Sequence, residues 1–128
     1  MMTRLRCQIA LTILLGALGG CTDTGPDIQP GLLVASLVSP NGLEGAALIH
    51  IVGAGVGSLE PTGDGRAFTS SHGDTLRVLL VLDTPGELGF RISVPDLATP
   101  PTATVMQVAD GANALRFDIS AYQVRFSR

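Results

Sequence analysis

After Gly31 the apolar runs of this chain are short, and this limits the possible folds more than any other feature. Gly, Pro, Asn or Asp interrupts each run, and none sustains a 3.6-residue period over a helical length. What recurs is a period of two. In Glu87–Val94, the side chains of Leu88, Phe90, Ile92 and Val94 point one way, and Glu87, Gly89, Arg91 and Ser93 oppose them. That is the alternation of a strand with one buried face.

The same reading extends along the chain. Leu32–Val38 is apolar almost throughout, as in a strand covered on both faces or one ambiguous by period, and Pro40-Asn41-Gly42 then supplies turn chemistry. Ala46–Val52 is a second apolar run with His50 inside it. Gly53–Gly65 holds five glycines and Pro61, which predicts a long loop or an irregular edge. Arg66–Ser70 is a short strand, and Gly73-Asp74 punctuates before Thr75–Asp83, where Leu76, Val78, Leu80 and Leu82 share a face. Pro85-Gly86 predicts a turn, and three prolines make Pro95–Pro101 an irregular connection. Thr102–Ala109 alternates through Thr104, Met106 and Val108, and Asp110–Asn113 is a turn. Leu115, Phe117 and Ile119 share one face of a further run, with Arg116 and Asp118 on the other. Tyr122, Val124 and Phe126 close the chain as a last strand.

Seven or eight short strands with turns every eight to twelve residues predict an all-β fold, a single antiparallel β-sandwich over residues 31–128. The Cys…Trp…Cys mark of an immunoglobulin domain is missing, since the chain has no Trp. The layout is loosely similar to the cohesin and carbohydrate-binding sandwiches of bacterial surfaces. That likeness is one of strand count and turn spacing, and it brings no site residues with it.

The first 21 residues follow other rules. Arg4 and Arg6 precede a mostly apolar run, Gln8–Leu18, which is too short for the roughly 20 residues that span a bilayer core but suits a secretory signal. The run ends in Leu18-Gly19-Gly20-Cys21. This stretch resembles the lipobox of bacterial lipoproteins: Leu, a small residue, Gly or Ala, then Cys. The resemblance implies that the Cys21 thiol receives a diacylglyceryl group and that a signal peptidase cuts between Gly20 and Cys21. It also implies acylation of the new amino group by a palmitate-class chain. Residues 1–20 are then a signal peptide and 21–30 a lipidated cysteine with a flexible tether. Thr22–Pro30 is polar, contains two prolines and can reach roughly 30 Å at ~3.3 Å per residue. In enteric-type lipoproteins Asp after the cysteine favours the inner membrane, so Thr22 tilts the expected location of this exported protein to the outer membrane.

Composition matters once the leader is set aside. Of 128 residues, 108 follow residue 20, enough for a core without covalent staples. All eight basic residues are Arg, and six of them face eleven acids after Cys21, a net charge of −5. Such a domain offers nucleic acid no basic face, and the only membrane attachment expected is the N-terminal lipid. The other cysteine, Cys7, lies within the leader, so the domain has no disulfide or free thiol.

Chemistry is sparse. Ser70-Ser71-His72-Gly73-Asp74 contains the three residue types of a nucleophilic triad, but it lacks a Gly-x-Ser-x-Gly elbow and reads as a polar hairpin turn. His50 reads as a half-buried structural histidine. Two isolated His do not make a zinc site. The Asp residues lack calcium-loop spacing and read as turn formers, and no cofactor is implied. Phe90, Phe117, Tyr122 and Phe126 are expected to point inward, leaving Phe68 as the exposed ring. The expected function is that of a lipid-anchored, non-catalytic envelope module. It would bind or brace an envelope protein or polysaccharide through loops Gly53–Gly65 and Pro95–Pro101, with Phe68, His72 and Asp74 in binding loops. The alternative is a small envelope hydrolase or inhibitor using Ser70–Asp74.

Overall fold

A computed structural model describes Gly20, Gly25, residues 27–53 and residues 55–128. Among the described residues there are eight strands and no helix: β1 (Gly31–Val38), β2 (Glu44–Val52), β3 (Leu59–Pro61), β4 (Arg66–His72), β5 (Thr75–Gly86), β6 (Gly89–Val94), β7 (Thr102–Ala109) and β8 (Gln123–Ser127). They form two four-stranded antiparallel sheets, in the orders β3-β6-β1-β8 and β4-β5-β2-β7. The fold is a β-sandwich.

The period of two decides what fills it. Leu33, Ala35, Phe90, Ile92 and Val94 from the first sheet meet Ala47, Ile49, Ile51, Val78, Leu80 and Val108 from the second, all buried. Each large side chain removed from water in this way contributes about 1.5–3 kcal/mol. β4 and β5 form a hairpin through Gly73 and Asp74, with His72 opposite Thr75. Gly73 has φ +60°, as required at the first central position of a two-residue type II′ turn. Gly42, at φ +85°, completes the turn expected after Pro40.

Four expectations need correction. β1 is covered on one face only: Leu33 and Ala35 are buried while Leu32 and Ser36 are exposed. No turn forms at Pro85-Gly86. An irregularity between Glu44 and Ala46 lets β2 follow β5 as far as Gly86, and the chain crosses to the other sheet afterwards. In β7 the partners of Leu48 and Ile49 are Gln107 and Val105, so Met106 is an extra residue. The bulge reverses the facing: Ala103 and Val105 pack toward the core with Val108, and Thr104 and Met106 face water. Finally, Leu115–Ile119 is not a strand. Leu115 makes a single bridge to Ala109, and the segment is otherwise irregular.

The registers give the sandwich two distinct ends. The chain enters at Gly31, and this end also holds residues 53–58, the Gly73-Asp74 turn and residues 95–101. Bonds from Leu97 N to Gln29 O and from Gly53 N to Asp74 O tie these loops together. The opposite end holds residues 39–43, 62–65 and 110–122. Gly53–Gly65 is therefore no single loop; it spans the molecule and contributes edge strand β3 between its halves.

Candidate functional site

Of the lipobox residues, Leu18, Gly19 and Cys21 lie outside the described residues. Gly20 is described and is exposed. The proposed binding-loop residues are placed as follows. Phe68 lies in the middle of β4 rather than in a loop, and is exposed. His72 ends β4 and Asp74 sits in the hairpin turn, both exposed. Among the described residues no side-chain hydrogen bond joins Ser70, Ser71, His72 and Asp74. Phe117, expected to point inward, is 106% exposed.

Among the described residues there is one buried charge, which sequence reasoning missed. Glu44 opens β2 with 1% of its surface exposed. Its Oε1 accepts from the Tyr122 hydroxyl at 2.5 Å and from Ser39 Oγ at 2.8 Å, and its Oε2 accepts from Arg116 Nε at 3.1 Å. Asn41 Nδ2 donates to the Tyr122 oxygen at 2.8 Å. Burial pushes the Glu44 carboxyl pKa upward. The bonds from Tyr122, Ser39 and Arg116, with the Arg116 charge, outweigh burial and hold it below its ordinary 4.5. The bond to Glu44 in turn raises Arg116. Both oxygens of the carboxylate are bonded internally, so the cluster acts as a clasp. It fixes residues 39–44 to the irregular 110–122 segment.

That segment is built from Asp side chains bonding their own backbone. Asp110 Oδ1 accepts from Ala112 N at 2.9 Å and Ala114 N at 3.0 Å; Asp118 Oδ1 accepts from Ser120 N at 3.0 Å and Ser120 Oγ at 2.6 Å. Asp96 does the same for Ala98 N at 3.0 Å. These bonds lower Asp110 through Ala114 and Ala112, and Asp118 through Ser120. Asp96 and Asp110 thus take the turn roles expected of them, and Asp118, expected on a strand face, takes one too. Among the described residues no three His, Cys, Asp or Glu side chains gather where a metal ion could sit.

Two of the hollows left by the packing lie beside polar side chains. At the far end Ser36, Ser39, Leu43, Glu44, Thr62 and Glu87 help line one of about 320 Å³. On the outer face of the β4-β5-β2-β7 sheet, an open hollow of about 660 Å³ is lined by His50, Ser70, Ser71, His72, Thr75 and Arg77. Here the register brings together what the sequence separates. Arg77 on β5 is the cross-strand partner of both His50 on β2 and Ser70 on β4, and Thr75 is the partner of His72. Both histidines of the chain thus share one surface depression, half-buried His50 and exposed His72. In the sequence His50 looks like an isolated interior residue, and only the β2–β5–β4 pairing discloses its neighbours.

Comparison with protein-family models, with curated proteins and with solved structures gives no match for the chain.

Proposed function

We propose that this chain is a lipid-anchored protein of the bacterial cell envelope, whose β-sandwich is a non-catalytic binding or bracing module. One observation carries the reading: a basic start and a short apolar run that end in Leu18-Gly19-Gly20-Cys21, the place where lipoproteins are acylated. Two or three acyl chains at Cys21 anchor stably, at about 0.8 kcal/mol per buried methylene. Thr22–Pro30 would then link the anchor to Gly31.

Topology supports a division of labour between the two ends. The chain enters beside residues 53–58 and 95–101, so these loops sit nearest the anchor. The contact surface is better placed at the far end. Leu43 precedes Glu44, and Leu115 and Phe117 flank Arg116, so the Glu44–Arg116 bond collects three exposed apolar side chains at that end. Loops on a rigid sandwich are where recognition is readily built.

Membrane fractionation of a Cys21→Ala variant tests the anchor. The variant should leave the membrane fraction and keep its fold; continued membrane association would remove the basis of the reading. The competing hydrolase makes a different prediction, that Ser70→Ala abolishes turnover of envelope material while membrane association is unchanged.

A further inference from the structure

We infer that the hollow on the outer face of the β4-β5-β2-β7 sheet is a binding site for a phosphate group, held by Arg77, His50 and His72 with the hydroxyls of Ser70 and Thr75. The inference rests on reading the sandwich as a binding module and goes beyond the far-end contact surface, since this hollow lies beside the Gly73-Asp74 turn. The charge pattern first sets this place apart. The domain is acidic, yet the residues lining the hollow comprise one Arg, two His and three hydroxyl side chains, with no carboxylate among them. The nearest acid in sequence, Asp74, lies in the turn and does not line it.

Arg77 is also uncommitted. Arg66, Arg91 and Arg116 face carboxylates of Asp83, Glu60 and Glu44, and Arg128 donates to the carbonyl of Leu97. Among the described residues Arg77 has no such partner, although it stands at the centre of a cross-strand row. Its guanidinium presents a planar fork of donors suited to two phosphate oxygens. The imidazoles of His50 and His72 keep at least one N–H donor in either protonation state, and Ser70 and Thr75 add O–H donors. These donors project from three adjacent paired strands, so the sheet itself sets their spacing. A tetrahedral oxyanion with several acceptor oxygens matches a lining in which each of these side chains can donate and none is anionic.

The hollow is open, so a dissociation constant on the order of 1 mM is expected. The test is NMR titration of the full-length protein in detergent, following the ring resonances of both histidines. The probes are inorganic phosphate and glycerophosphoglycerol, the soluble headgroup of an anionic lipid. Saturable shifts of His50 and His72 together are predicted, weakened roughly tenfold in Arg77→Gln by loss of charge-assisted bonds. Arg125→Gln, on the other sheet, should bind as the unaltered protein does. Tighter binding of glycerophosphoglycerol would point to a lipid source and tighter binding of phosphate to a free one; either outcome keeps the site. Ring resonances unmoved by both probes would overturn it, as would an Arg77→Gln variant that still folds and binds normally. Equal losses in the Arg77 and Arg125 variants would also overturn it. Acylation of Cys21 is read by mass spectrometry instead, so the anchor and the phosphate site can fail separately.

Discussion

Glu44 carries the sharpest energetic consequence at the scale of single residues, because a buried carboxylate is tolerable only while its partners remain. Tyr122→Phe removes the shortest of its bonds and the oxygen to which Asn41 donates; it should cost about 1–3 kcal/mol in urea unfolding. Arg116→Ala should also lower the urea midpoint, since it removes the countercharge of the buried Glu44 carboxylate. The pH dependence follows from the lowered pKa of Glu44. A carboxyl whose folded pKa lies below its unfolded value contributes its full stability above the ordinary 4.5, and loses it as pH falls through the folded value. Urea midpoints measured across that window should therefore decline more steeply in the unaltered protein than in Glu44→Gln. Parallel declines would mean that the clasp does not depend on charge. None of this was legible in the sequence. Glu44 and Arg116 stand 72 residues apart, and each read alone resembles a solvated surface charge.

Among the elements, β6 and the 110–122 segment mark the two extremes of legibility. In β6 a one-sided alternation was enough, because Phe90, Ile92 and Val94 each fall two residues apart and all are buried. In Leu115–Ile119 the same alternation misled. Parity says which side a residue would face in a strand, but a strand also needs a neighbour to pair with. Here Asp110 and Asp118 divert the backbone into side-chain-bonded turns, and Asn113 takes φ +63°. β7 failed for a related reason, since one inserted residue, Met106, reverses the facing without changing the composition. The contrast is measurable. Phe90→Ala should cost about 3–5 kcal/mol in urea unfolding, whereas Phe117→Ser should stay within about 0.5 kcal/mol. If Phe117 instead contributed as much as Phe90, the 110–122 segment would have to pack inward. On the proposed reading Phe117→Ser should also reduce crosslinking to whatever envelope component the far end contacts, despite normal stability.

For the whole molecule, an antiparallel β-sandwich of seven or eight strands was readable because short runs, period-two alternation and frequent turns leave few other folds; the division into two four-stranded sheets was not. Its sites were harder to read. The hollow around Arg77 depends on strand order, which places β5 between β2 and β4, and strand order has no local sequence signature. The role proposed for the molecule hangs on its opposite property, a purely local one: Leu18-Gly19-Gly20-Cys21 directly after an apolar run. Mass spectrometry of the N-terminal peptide of protein isolated from its native membrane tests that claim most directly. The account predicts a peptide that begins at an acylated Cys21, with residues 1–20 removed. A peptide that retains the leader, or an unmodified Cys21, would contradict it.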